Sequence, residues 1–322
     1  MHLHPMLGAL CEDDSPQRAA QVALHAVAAD WRADPAIRTL TAELAQFAQG
    51  GELDDFAMLS AVLTDHASAS RFAADLVGRT CAALMHEPLG HVALRHFTDG
   101  AVSTLMLAGA GGTTLALASI DGAGFARRTV PTSVGFAPCD CWDIVLAGTA
   151  QAVLVDGPTR APGEPLTQTL RSLTPGNTLS RDSARQALMV TTVDGCLVWL
   201  RLQRRRDGEI TREHALADGT LLHQAAGSAR DSRLELAATL LGRMGRSDAA
   251  PLLAAMAEES GTPALRWQAL RECLALDSRA GFVTLAAIAR SPADPLAMPA
   301  GALRAQLLEA HPQLRTLESC RS

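Results

Sequence analysis

The stretch from about residue 90 to residue 225 most constrains what this chain can fold into. It is a series of short apolar runs, at 91–97, 102–108, 113–121, 127–130, 142–146, 151–156, 166–173, 186–193 and 197–203. Nearly every gap between them holds Gly, Pro or Asp, the residues that reverse a chain. No helix-length pattern intervenes, so parallel strands joined by crossover helices are excluded. Short strands at near-regular spacing predict an antiparallel sandwich or barrel.

On either side the period changes to that of helices. Ser15-Pro16 opens one helix and Asp34-Pro35 a second, whose Ile37, Leu40, Leu44 and Phe47 fall on one face. Gly50-Gly51 ends it. A third is predicted at about 53–63 and a fourth carries Phe72, Leu76, Cys81 and Leu84 before Pro88. After residue 226, helical pairs are predicted at 234–243 with 248–259, and at 263–276 with 279–290, followed by 300–310. An offset of 32 residues lays Leu253-Ala254-Ala255-Met256-Ala257 on Leu285-Ala286-Ala287-Ile288-Ala289. Such periodicity predicts stacked helical hairpins, with Leu236, Leu240 and Leu241 facing Leu252, Leu253 and Met256. The expected class is therefore α+β in three parts: a helical segment 1–87, an antiparallel β domain 88–225 and a helical segment 226–322.

Composition removes whole classes of chemistry. The 322 residues contain no Lys and no Tyr, so Schiff-base, Walker-type and Ser-Lys or Tyr-Lys chemistry cannot be built. Net charge is −6; residues 1–90 hold 12 acids and 5 arginines, while the remainder is near balance. Nucleic-acid binding is not expected, because phosphate backbones require a basic face. The basic run Arg204-Arg205-Arg206 precedes Asp207-Gly208 and reads as a solvated hairpin turn. Apolar runs are too short to span a membrane, and the first residues lack the pattern of a signal peptide. Seven scattered cysteines, an odd number, predict reduced thiols in a cytoplasmic protein.

Two resemblances follow. The C-terminal residues, by helix pairing and small residues, resemble HEAT-like repeats, which implies a scaffold. The segment Leu173-Thr-Pro175-Gly176-Asn177-Thr-Leu179, then Ser180-Arg181-Asp182, then Met189 to Gly195 and Leu197-Val-Trp199-Leu200, resembles a cupin-type jelly roll. Cupins often place two metal-binding His after the Pro-Gly turn; here Ser180 and Asp182 stand there, so the family's metal chemistry is not implied.

Candidate site residues are few. Cys139-Asp140-Cys141 would put both sulfurs on one face of a strand. Packing, metal binding and redox chemistry are its alternative readings; zinc sites prefer a wider spacing and need two more ligands. His91 and His96 fall in one expected strand but on opposite faces, so a shared metal is not expected. The loop 156–165 could be a turn or a lid. No cofactor is implied. The expected function is a non-catalytic binding or scaffold protein that holds a protein partner or a second copy of itself. The alternative is a cupin-like enzyme or small-molecule sensor with an atypical site in the barrel.

Overall fold

The computed structural model describes residues 10, 13–158, 165–206, 210–226, 228–259 and 261–317. They form two compact units, Met1–Arg206 with Glu213–Leu221, and Asp207–Arg212 with Leu222–Ser322. The class is α+β, and every strand pairing of the large sheet is antiparallel.

The first unit begins with α1 (Ser15–Ala33), α2 (Pro35–Phe47), α3 (Ala57–Thr64) and α4 (His66–His86). Proline in the first turn starts α1 and α2; the Asp34 side chain accepts the Ala36 N–H and so caps α2. The expected third helix divides into a single 3₁₀ turn, Leu53–Asp55, and α3. Ile37, Leu40, Leu44 and Phe47 are all buried, as their spacing requires.

Seven strands make the large sheet: β1 (His96–Thr98), β2 (Val102–Ala110), β3 (Thr113–Asp121), β5 (Cys139–Asp156), β6 (Thr167–Leu173), β7 (Thr178–Asp182) and β8 (Gln186–Arg205). Their order is β1-β2-β3-β8-β5-β6, with β7 also on β5. A short helix, α5 (Gly122–Phe125), and β4 (Ser133–Phe136) lie between β3 and β5. β4 shares a smaller sheet with β9 (Ile210–Ala215), and β10 (Leu221–Ala226) follows.

The expected runs 142–146 and 151–156 are parts of one strand, β5, and 186–193 and 197–203 are parts of β8. The Gly residues that suggested breaks mark bulges instead. Gly148 has φ +79°, and a Cβ there would lie 1.9 Å from the Cys196 carbonyl oxygen, so no larger residue fits the bend. No strand forms at 127–130: the turn that ends α5 runs on there, with the Arg127 and Arg128 N–H groups bonded to the Gly124 and Phe125 carbonyls. His91 lies outside β1: its backbone bonds the Gln21 side chain rather than a neighbouring strand. The turn at Asp207-Gly208 and most of the loop 156–165 lie outside the described residues.

The β5–β8 pair has two faces. On one, Ile144, Leu200 and Leu202 join Leu40, Leu44, Phe47, Leu59 and Leu63 of the helices in a single core. On the other, Val145, Ala150, Ala152, Leu197 and Trp199 pack with Ala118, Ile120 and Leu173.

The second unit holds α6 (Ala229–Arg243), α7 (Ala250–Glu258), α8 (Pro263–Leu276), α9 (Ser278–Ala289) and α10 (Ala297–Ala310). α6 packs along α8, not along α7 as a simple hairpin would. Small residues decide this: Ala238 is buried, and Gly242 lies directly against Glu272. Leu236, Leu240 and Leu252, expected to meet across the first hairpin, are exposed instead. No helix among the described residues is long and apolar enough to cross a membrane.

Candidate functional site

Strand alternation puts Cys139, Cys141 and Asp143 on one face of β5. Register then places Arg181 of β7 and Gln203 of β8 opposite Cys141, and Arg201 of β8 opposite Asp143. The result is a polar cluster in the sheet. Asp143 Oδ2 accepts from Arg181 Nη1 at 2.5 Å, and Asp143 also accepts from Arg201 Nε at 2.5 Å and Nη2 at 3.0 Å. Arg181 and Asp143 side chains are each 5% exposed. Burial pushes the Asp143 carboxyl up, but Arg201 and Arg181 outweigh it and hold the group below its ordinary range.

The charges do not balance. Two guanidinium groups share one carboxylate. Two buried donors of the cluster, Arg181 Nε and Trp199 Nε1, also lack a partner among the described residues. Buried polar groups are nearly always satisfied, so these two donors, lying in one charged cluster, single it out as the candidate site. The Arg201 guanidinium stacks on the Trp199 ring, 4.9 Å from its centroid.

The thiols sit at the other end of the cluster. Cys139 and Cys141 are both buried, with Sγ atoms 3.7 Å apart. Ser183 Oγ at 3.1 Å and Gln203 Nε2 at 3.4 Å donate to Cys141 Sγ. The Cys139 contact, with these two donors and the nearby Arg181, lowers the Cys141 thiol from 9.0 to about 6 against the opposing effect of burial. Cys139 is pushed up by Cys141 and by burial, and remains the protonated partner.

A cleft of about 240 Å³ adjoins the cluster, lined by Asp143, Trp199, Arg171, Asn177 and Thr178, with Val145, Leu173, Leu179 and Leu188 as an apolar wall. The Pro175-Gly176 turn leads directly into Asn177 and Thr178, which line it. Thr174 N–H and Oγ1 both donate to Asn177 Oδ1, and Gly176 N–H bonds the Val145 carbonyl at the β5 bulge.

Among the residues singled out from sequence, only Cys139 and Cys141 come together. His96 is exposed on β1, bonded to the Leu94 carbonyl, and His91 is exposed ahead of it. No group of three His, Cys, Asp or Glu able to hold a metal exists among the described residues. The two cupin-like positions do not fit a metal either. Ser180 is exposed, and Asp182 is paired with Arg206 at 2.6 Å. Arg181, the residue between them, is the one that faces the cluster. Arg204 and Arg206 are not solvated: both pair with Asp140, and Arg204 lies 4.3 Å from the Phe47 ring centroid. Asp143, Arg201 and Trp199 were missed. A carboxylate continuing the Cys139, Cys141 alternation in an apolar strand was the available signal.

No protein family and no curated protein matches the chain. Among solved structures, it is similar to a putative mannose-6-phosphate isomerase from Ralstonia eutropha JMP134, 20% identical over 30% of this chain and 76% of that one, with TM-score 0.22. It is also similar to KdgF from Halomonas sp., 18% identical over 35% and 88%, TM-score 0.25. A third is a cupin superfamily protein from Desulfitobacterium hafniense DCB-2, 16% identical over 34% and 83%, TM-score 0.24. Overlaps of this size carry no argument about this chain, whose site stands on its own geometry.

Proposed function

We propose that the β-rich region is a cupin-like barrel that binds a small organic acid without a metal, as a sensor or carrier rather than as a catalyst. The observation that carries this reading is the Trp199 Nε1 donor, buried and without a partner, on a residue that lines the cleft. Arg171, Asn177 and Thr178 add donors to the same lining, and Arg201 covers the Trp199 ring. A carboxylate would accept from these groups, while Val145, Leu179 and Leu188 suit a short apolar body. Asp143 is saturated by its two arginines and does not repel the anion as a free carboxylate would.

A thermal-shift screen of small carboxylic acids, followed by calorimetry, tests this. At a hundredfold excess over Kd, a true ligand stabilises by about 2.7 kcal/mol. Trp199→Phe keeps the ring and removes the donor; affinity should fall ~10-fold or more, since a hydrogen bond to a charged group contributes about 1.5–3 kcal/mol. Absence of any stabilising acid, or unchanged affinity in Trp199→Phe and Arg171→Ala, would overturn the reading.

A second reading concerns the C-terminal helices as a HEAT-like interaction element that supports self-association. Leu236 and Leu240 on α6 and Met244 just past its end recur every four residues and are exposed, as is Leu252 on α7. Light scattering over a range of concentrations tests it. A constant monomer mass removes it, and a dimer dissociated by Leu240→Glu supports it.

A further inference from the structure

We propose that Cys139 and Cys141 are an oxidisable dithiol: a thiolate at Cys141 reacts with a small peroxide, and Cys139 closes a disulfide onto it. This inference is independent of the organic-acid reading. It starts from geometry. The two sulfurs are 3.7 Å apart on one strand face, and the side chains of Ser183 and Gln203 both donate to Cys141. Cys139 Sγ is within 3.4 Å of the Asp140 carbonyl, an acceptor for its proton. Arg181 stands opposite Cys141 in the β5–β7 register, in a cluster with one positive charge in excess. A thiolate is the anion that balances it.

Cys273 shows what a packing thiol looks like here. It is buried, it donates to the Ala250 carbonyl, and burial pushes it up to about 11. Among the described residues, no side chain donates to its sulfur. Cys139 resembles it in donating to a backbone carbonyl and in being pushed up; Cys141 differs, accepting from Ser183 and Gln203 and shifted down. A cation site is the other chemistry open to paired thiols. It is disfavoured by the two guanidinium groups and by the lack of a third ligand among the described residues.

The step balances. Cys141 sulfur attacks one peroxide oxygen and the O–O bond breaks; the second oxygen leaves as hydroxide and takes a proton, giving water and a sulfenic acid. Cys139 sulfur then attacks Cys141 sulfur, its proton leaving with the sulfenic oxygen as a second water. The two sulfurs lose two electrons, and the peroxide gains two. Cα atoms two residues apart on a strand are roughly 6.6 Å apart, near the upper limit for a disulfide, so the bond is strained and easily reduced. Labile disulfides of this kind suit reversible use.

The test treats the full chain with hydrogen peroxide, alkylates the remaining thiols and maps peptides by mass. The expected product is an internal Cys139–Cys141 disulfide that dithiothreitol reverses, formed at least as fast as the exposed Cys81 and Cys196 oxidise. In Cys139→Ser, dimedone should label Cys141; in Cys141→Ser, Cys139 should stay reduced. Wild-type mapping decides the matter if either variant fails to fold. Both thiols remaining alkylatable after Cys81 and Cys196 have reacted would overturn the proposal.

Discussion

In the C-terminal helices, Arg266 meets Asp294 one to one. Its Nη1 and Nη2 donate to the two carboxylate oxygens at 3.1 and 2.5 Å, and its Nε donates to the Ala257 carbonyl at 2.9 Å. In the large sheet, Arg181 and Arg201 crowd a single Asp143, and Arg181 Nε is left without a partner. The first arrangement is a closed fastening between helices. The second is open: it has charge to spare, donors to spare and a cleft beside it. Burial of an arginine is therefore not the informative feature. The accounting of its partners is, because a satisfied buried pair mainly fixes geometry and an unsatisfied one calls for something further.

Removing the anion from each cluster separates them most sharply. Asp143→Ala removes the carboxylate bonded to both guanidinium groups, leaves two cations to one thiolate, and should destabilise by about 5 kcal/mol, at the top of the range for breaking a buried pair. Asp294→Ala leaves one cation that still holds the Ala257 carbonyl, and should cost about 3 kcal/mol. Urea unfolding of both variants checks the ranking; equal losses would erase the distinction. Replacing Arg266 and Asp294 together with Met and Leu should be near neutral and leave the cleft's ligand affinity unchanged.

The next effect is a pH dependence confined to the sheet. A thiol lowered from 9.0 to about 6 in the fold contributes stability that is fully present above about 9 and lost as pH falls through about 6. Cys139, shifted upward, acts the other way and withdraws stability only above its ordinary range. Wild type should therefore lose on the order of a few kcal/mol between pH 9 and 6, and Cys141→Ser should lose much less. Melting curves across that window measure the difference. A smaller effect should come from Arg204→Ala, which removes the stacking on Phe47 and Trp142 together with the bond to the Gly51 carbonyl and the pairing with Asp140, and should cost about 1–2 kcal/mol.

Much of the architecture was legible because it rests on local patterns. Pro16, Asp34-Pro35 and Pro263 announce helix starts, and the 3.6-residue spacing of Ile37, Leu40, Leu44 and Phe47 places a core. Antiparallel pairing followed from turn chemistry alone. Strand length was not legible. Gly148 and Gly195 read as breaks, yet β5 and β8 run past them, with bulges in β5 around Gly148. A glycine that ends a strand and one that bends it look alike until the partner strand is known.

The site was legible only at Cys139 and Cys141, whose spacing is local. Arg181, Arg201 and Asp143 are brought together by pairings across 38 and 58 residues. No local rule links them. Arg181 also lies between Ser180 and Asp182, the two positions that the cupin resemblance makes prominent.

What distinguishes the sheet cluster is that a thiolate at Cys141 would meet its excess positive charge. Ultraviolet titration of thiolate absorbance in the folded chain, compared with Cys141→Ser, tests that most directly. One thiol ionising near pH 6, present in wild type and lost in the variant, is the expected result. Ionisation of every thiol only in the ordinary range near 8.5, with identical curves for the two proteins, would contradict it.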